Sequence, residues 1–257
     1  MDSDLFAVAG KTVLVTGGSR GIGLMIAEGF VAAGAHVIVS SRNADACRSV
    51  AARLAVVGEC EAIPADLSTT AGADALAAAV RARWARLHVL VNNAGATWGA
   101  PLEAYPESAF DKLWAVNVKA VFRLTTALLP ALRAAAGAAD PARVITIGSV
   151  DGIRVPAMET YAYAATKAAV HMLTRQLARQ LAAEHITVNA IAPGPFESRM
   201  MAFALDDPDT RAAIERQIPL GRIGRPADVA GTAIFLSARA GAYLTGTVIP
   251  VDGGLTA

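Results

Sequence analysis

The sequence predicts a single α/β domain: a doubly wound parallel sheet with helices on both faces. Three observations predict it. Apolar runs of strand length alternate with longer segments of helical spacing along all 257 residues. The strand runs are apolar at nearly every position, the mark of strands buried on both faces. Strict strand-then-helix order demands crossover connections and therefore parallel pairing. No Pro/Gly/Ser-rich linker divides the chain, and no repeat of solenoid period runs through it.

The elements follow in order. "TVLVT" (12–16) predicts a strand and "GIGLMIAEGFVAA" (21–33) the helix behind it. "HVIVSS" (36–41) with "DACRSVAARLAVV" (45–57) repeats the pair, as does "CEAIPAD" (60–66) with "AGADALAAAVRARWA" (71–85). "LHVLVNN" (87–93) leads through a loop to the long apolar helix "SAFDKLWAVNVKAVFRLTTALLPALRAA" (108–135). "RVITIGS" (143–149) precedes "YAYAATKAAVHMLTRQLARQLAAE" (161–184), and "ITVNAIA" (186–192) comes next. From 194 to 225 the pattern breaks into short helices and loops, a length of excursion often used as a lid. The helix "PADVAGTAIFLSA" (226–238) and a last strand, "GTVIPVDGG" (246–254), close the sheet.

Composition narrows the function. Hydrophobic residues make up 54% of the chain against 18% charged, ample for a buried core. With 23 basic and 22 acidic side chains and no dense Lys/Arg cluster, nucleic acid is not an expected partner. The start, "MDSDLFAVAG", lacks the basic and apolar pattern of a signal peptide. No apolar stretch reaches the roughly 18 residues of a membrane span, so a soluble cytoplasmic protein is expected. Cys47 and Cys60 lack metal-ligand spacing and are expected as free thiols in a reducing compartment, with no metal site.

"TGGSRGIG" (16–23) places Gly17, Gly21 and Gly23 between the first strand and the first helix. A dinucleotide site needs such a bare backbone, because N–H groups must approach pyrophosphate oxygens at a helix N-terminus. The spacing is G-x-x-x-G-x-G rather than G-x-G-x-x-G, and a plain glycine turn packing helix on strand has the same composition. Position at the end of the first strand favours the phosphate site. The second strand ends in "SSRN" (40–43), where an NAD-binding unit would carry an acid for the ribose 2′-OH. Arg42 there, with Arg20 in the glycine loop, suits a 2′-phosphate instead. NADPH is the expected cofactor.

"YAYAATK" sets Tyr163 and Lys167 four residues apart on one helical face. A phenol titrates near pKa ~10, and a neighbouring ammonium is expected to lower it. Tyr161 has no such partner and is expected to pack. Ser149 ends the fifth strand, on the side where ligands bind in open α/β sheets, although a cap role fits it too. Asn117, inside the long apolar helix, is either a satisfied core amide or a water site.

In this order and spacing, "TGGSRGIG" (16–23), "DL" (66–67), "NNAG" (92–95), Asn117, Ser149, "YAATK" (163–167), "PG" (193–194) and "VDGG" (251–254) resemble the short-chain dehydrogenase/reductase family over nearly the whole chain. The resemblance implies a single-domain Rossmann fold with seven parallel strands and a catalytic tetrad of Asn117, Ser149, Tyr163 and Lys167. It implies cofactor contacts from Gly17, Ser19, Arg20, Gly21, Ile22 and Gly23 in the first loop, and from Ser41 and Arg42 after the second strand. Asp66 and Leu67 would meet the adenine, and Asn93, Ala94 and Gly95 the ribose. Tyr163 and Lys167 would reach the nicotinamide side, together with Pro193, Gly194, Phe196 and Ser198. Ser198 stands where many members carry Thr.

"GECEAIPADLS", "VLVNNAGATWGA", "EHITVNAIAPGPFESRM" and the segment from "PLGRIGRPADVAG" to "VDGG" are similar to NADPH-dependent 3-oxoacyl reductases within that family. The reaction so implied is hydride transfer to the ketone of an acyl thioester on acyl carrier protein or CoA. Tyr163 would be the acid, Ser149 the oxygen's donor, and Asn117 the holder of a water that refills the proton through Lys167. Trp98, Ile153, Val155 and Met158, with Met200, Met201 and Phe203 of the lid, would form an apolar substrate wall. Arg199, Arg222 and Arg225 would either attract an acidic carrier protein or a CoA phosphate or be solvated surface. The resemblance also implies homodimers or homotetramers packed through 108–135 and 161–184. Oxidation of a polyol or steroid alcohol and a non-catalytic NADPH sensor are the alternatives.

Overall fold

The computed structural model describes residues 5–197, 201 and 206–257. Its strands are β1 (Thr12–Thr16), β2 (His36–Ser40), β3 (Cys60–Ala62), β4 (Val89–Asn92), β5 (Ala142–Ile147), β6 (Ile186–Pro193) and β7 (Val248–Val251). They form one seven-stranded sheet in the order β3-β2-β1-β4-β5-β6-β7. Every pairing is parallel. The helices are α1 (Gly21–Ala32), α2 (Ala44–Leu54), α3 (Thr70–Arg83), α4 (Glu107–Trp114), α5 (Ala120–Ala135), α6 (Tyr161–Leu181), α7 (Pro208–Gln217) and α8 (Pro226–Ser237).

Strand alternation sends neighbours to opposite faces and so builds two cores. Val13, Val15, Val37, Val39 and Ile145 pack with Ile26, Phe30 and Val31 of α1, Leu54 of α2 and Val229 of α8. Leu14, Ile38, Leu90, Val144 and Val188 pack on the other face with Leu76 of α3, Leu124 and Leu128 of α5 and Leu181 of α6. Below the sheet, Lys11 Nζ donates to both Asp140 carboxylate oxygens at 2.7 Å, and buried Arg143 pairs with the same carboxylate at 2.7 Å.

Three expectations are corrected here. Strand 60–66 ends at Ala62, because Pro64 has no N–H for the ladder, although Ile63 and Ala65 still donate to Val39 and Ser41. Strand 246–254 is only Val248–Val251, because Gly253 (φ 67°) and Gly254 (φ 91°) turn the chain under Asp252, whose carboxylate accepts the Gly254 N–H. The expectation that no apolar stretch reaches span length also fails. Glu107–Ala135 is continuously helical over 29 residues and apolar enough to cross a membrane by length and composition, although its inner face packs on the sheet. That helix is not uniform. Ala115–Lys119 is wound as a π segment, a rare form frequent at functional sites, and Asn117 lies in it.

Candidate active site

The sheet reverses its strand order beside β1 and β4, which opens a crevice beyond their carboxyl ends. Thr16 ties the two walls together. Its Oγ1 accepts the N–H groups of Asn93 (2.9 Å) and Ala94 (3.0 Å), and Asn93 Nδ2 donates to the carbonyls of Thr16 (2.8 Å) and Gly17 (3.2 Å). This leaves no room for side chains in the loop. A Cβ on Gly17, whose φ is 65°, would lie 2.7 Å from Asn93 Nδ2, and one on Gly23 would lie 2.4 Å from the Gly17 carbonyl oxygen. The glycines are there because main chain fills the space.

The same loop is prepared for an anion. α1 starts behind Arg20 with no side-chain cap and no acid in its first turn. Its first N–H groups and the positive end of its dipole are therefore left for a ligand. Arg20 and Arg42 are exposed, and among the described residues neither closes an ion pair. The end of β2 presents no acid. The Ser68 N–H and hydroxyl, and more weakly the Arg42 charge, hold the Asp66 carboxyl below its usual range. A main-chain cradle, a bare helix start and two free cations are the donor set that a phosphorylated dinucleotide requires, so the residues present fit that group.

At the other end of the crevice stand Ser149, Tyr163 and Lys167. Ser149 lies two residues past β5 rather than ending it, and its Oγ caps a 3-10 turn (Val150–Gly152) by accepting the Asp151 N–H at 3.1 Å. It caps that turn and is also placed to ease ionisation of the Tyr163 hydroxyl. Lys167 sits one helical turn beyond Tyr163, with its ammonium 5.5 Å from the phenol ring centroid. Lys167 Nζ donates to the Ile147 carbonyl at 2.7 Å.

The expected depression of the Tyr163 pKa by Lys167 is corrected by this geometry. Dense surroundings push the phenol up to about 12; the Ser149 bond pulls it down and the Asp151 charge adds to the rise. Burial drops Lys167 itself to about 8, opposed by Asp151. The ammonium is desolvated and bound to the Ile147 carbonyl, and burial is the largest influence on the phenol here.

The amide of Asn117 makes three hydrogen bonds. Oδ1 accepts the Ala96 N–H (2.9 Å), and Nδ2 donates to the Ala96 carbonyl (3.0 Å) and Thr166 Oγ1 (2.9 Å). The core-amide alternative describes these contacts, which clamp the "NNAGA" loop to α6 and use both Nδ2 hydrogens and one of the two Oδ1 lone pairs. Gly95 lies beneath it, where a Cβ would come 3.2 Å from Asn117 Oδ1 and 3.9 Å from Lys167 Nζ.

Other expected contacts change character. Leu67 and Phe196 are buried in the two cores, Phe196 so tightly over Gly224 that a Cβ there would lie 2.3 Å from its ring. Ser41 Oγ donates to the Asn43 carbonyl at 3.1 Å, inside the turn before α2. Gly194 packs where a Cβ would meet Asp252 at 2.8 Å, and its N–H donates to the Val251 carbonyl, holding Pro193 and the end of β6 in place. Ser19 and Ile22 lie at the loop and first turn, with Ile22 packed on the core. Tyr161 meets Tyr105 edge-on, as packing requires. Arg222 is held by Asp228 at 2.7 Å, which removes it from the cations expected to attract a carrier. Met201 packs with Ile218 and Ile223, while Ser198, Arg199, Met200 and Phe203 lie outside the described residues. Sequence reasoning missed Thr16, Thr166, Asp151 and His171. A hydroxyl at the end of an all-apolar strand was the visible signal for Thr16.

The comparisons agree with this geometry. A family model described as Enoyl-(Acyl carrier protein) reductase matches residues 17–256. The rhamnolipids biosynthesis 3-oxoacyl-[acyl-carrier-protein] reductase of Pseudomonas aeruginosa is 54% identical over 249 residues, 97% of each chain. The solved P. aeruginosa RhlG/NADP active-site complex superposes with a TM-score of 0.96 at 53% identity, covering 98% of both chains. A gluconate 5-dehydrogenase from Burkholderia cenocepacia, solved with NADP and tartrate, gives a TM-score of 0.90 at 33% identity and the same coverage of 98%. With this sheet order, this crevice and matches that span almost its full length, the chain belongs to the short-chain dehydrogenase/reductase family.

Proposed function

We propose that the protein is an NADPH-dependent reductase that turns the ketone of a 3-oxoacyl thioester into an alcohol. One observation carries it: the Ser149 and Tyr163 hydroxyls and Lys167 share one end of a crevice whose other end is an acid-free phosphate cradle. Gly17, Ser19, Gly21, Ile22 and Gly23 would hold the pyrophosphate, and Arg20 and Arg42, beside Ser41, the 2′-phosphate. Asn93, Ala94, Gly95 and Lys167 would hold the riboses, and the main chain of Pro193, Gly194 and Phe196 the carboxamide. The bound nucleotide supplies hydride.

The chain's own residues manage the oxygen. Tyr163, at about 12, enters the reaction with its proton in place, as a general acid must. Ser149 donates to the substrate oxygen as charge grows there. Lys167, largely protonated at neutral pH with a pKa of about 8, supplies positive charge behind the phenol as the proton leaves. The substrate's tail meets apolar surface: Ile153 (47% exposed), Val155 (91%) and Met158 (43%) lie in the chain between Ser149 and Tyr163, and Trp98 (43%) follows the "NNAG" loop. These side chains suit an acyl chain better than a sugar. The segment 194–225 acts as the lid. Exposed Phe110, Trp114, Phe122 and Met172 on α4, α5 and α6 support a homodimer or homotetramer built on those helices. The two free thiols, Cys47 and Cys60, fit a reducing cytoplasm.

NADPH consumption with a 3-oxoacyl thioester, a keto-sugar acid and an enoyl thioester tests this. The expected result is a kcat/KM for the 3-oxoacyl substrate about 10²-fold above the others. Faster turnover of the keto-sugar acid would move the enzyme to the gluconate 5-dehydrogenase type, and faster turnover of the enoyl thioester to double-bond reduction.

A further inference from the structure

The loop that carries Trp98 is tied to the start of α6, the helix that carries Tyr163. The Ala100 N–H donates to the Glu159 carbonyl at 3.2 Å, and the Leu102 N–H donates to Glu159 Oε1 at 3.3 Å. The Tyr161 hydroxyl donates to the same carboxylate oxygen at 3.1 Å. Tyr105 adds a tie that works in both directions. Its hydroxyl donates to the Trp98 carbonyl at 3.2 Å and accepts the Ala162 N–H at 3.2 Å.

Both partners of that hydroxyl have a place in the reaction end. Ala162 stands next to Tyr163. α6 begins behind Thr160 with no side-chain cap, and the first N–H groups of a helix have no partner inside it. Tyr105 supplies one from 57 residues away, and Ala162 is fully buried, so water does not do the same. Trp98 belongs to the apolar wall. Its main chain is held by Tyr105 and its ring by Lys112 of α4, whose Nζ lies 5.8 Å from the ring centroid. The Tyr105 ring is itself fixed, edge-on to Phe110 at 5.5 Å and to Tyr161 at 5.3 Å. The phenol is a strut of set length between a wall residue and the residue before the acid.

We propose that Tyr105 is a positioning residue: its hydroxyl holds the Trp98 wall at a fixed distance from the start of α6 and so makes the site favour long acyl tails. This deepens the 3-oxoacyl reading proposed above and rests on it. The bonds of the hydroxyl go to main chain, not to Ser149, Tyr163 or Lys167, so its loss should loosen the wall and leave the proton donor in place. A loose wall costs a long tail more than a short one, because buried apolar area grows with each methylene.

Tyr105→Phe removes both bonds and keeps both ring contacts. In that variant KM for a long-chain 3-oxoacyl thioester is expected to rise about fivefold or more, with kcat, and the KM of a four-carbon thioester, within about twofold of wild type. In a Trp98→Ala background, where the wall is already gone, the same change should add less than about twofold. Tyr161→Phe, which loses a hydroxyl at the same edge but neither of these bonds, should keep the wild-type ratio of long- to short-chain kcat/KM. Hydrogen exchange read by mass spectrometry should quicken in Tyr105→Phe by about threefold or more over 98–105 and the start of α6, with the glycine loop unchanged. An unmoved long- to short-chain ratio in Tyr105→Phe overturns the proposal, whether activity is kept or falls equally for both lengths, as a merely structural role would give. Full additivity with Trp98→Ala overturns it as well, and so does an equal change of the ratio in Tyr161→Phe. If the wild-type enzyme reduces no thioester, the substrate reading fails, and the exchange pattern alone decides whether Tyr105 ties the wall to α6, unaltered exchange refuting it.

Discussion

The two ends of the crevice are built by different means. The glycine-loop end is main chain against main chain: Thr16, Asn93, Gly17 and Gly23 interlock at van der Waals limits, and only Arg20 and Arg42 extend from it. The reaction end is side chain against side chain, with Ser149, Tyr163, Lys167 and Asp151 placed by one tight turn on one helix, edged by exposed apolar groups. The first end recognises a constant ligand and tolerates no added atom. The second end tunes charge and shape, and its substitutions should act by degree.

Gly23→Val is expected to produce the largest effect. Its side chain would enter space 2.3 Å from Asn93 Nδ2, so nucleotide affinity measured by fluorescence titration should fall by about 100-fold or more. Arg42→Asp should reverse the preference for NADPH over NADH by on the order of 10–100-fold in kcat/KM, because an acid repels the 2′-phosphate and accepts a ribose hydroxyl. Val155→Asp, on the open rim, should raise KM for a long-chain 3-oxoacyl thioester by about tenfold and barely alter a four-carbon one.

The smallest effect is on stability and comes from His171. Its pKa is about 4 in the fold against 6.5 when free, so the unfolded chain binds the extra proton between those values. Stability is then full above pH 6.5 and falls as the pH drops towards 4, by on the order of 2–3 kcal/mol. Urea melts across that window should show the slope, and His171→Gln should flatten it.

Much of this was legible beforehand because it follows from periodicity. "TVLVT", "HVIVSS" and "ITVNAIA" can only be strands covered on both faces, and the glycine loop and Tyr163–Lys167 pair could be placed from their positions relative to such strands. What was not legible depends on contacts distant in sequence. The clamping of Asn117 needs Ala96 and Thr166, 21 and 49 residues away. Phe196 looks like a crevice residue until Gly224 is seen beneath its ring. The Tyr163 pKa was misjudged because proximity of an ammonium is visible in a sequence and burial of both partners is not.

The most direct measurement is single-turnover reduction of a 3-oxoacyl thioester by Tyr163→Phe with NADPH affinity recorded on the same sample. The expected result is a rate lower by about 10²–10⁴-fold with NADPH affinity within about threefold of wild type. A variant that still reduces the ketone at close to the wild-type rate would show that the proton comes from elsewhere, and the reaction end described here would lose its acid.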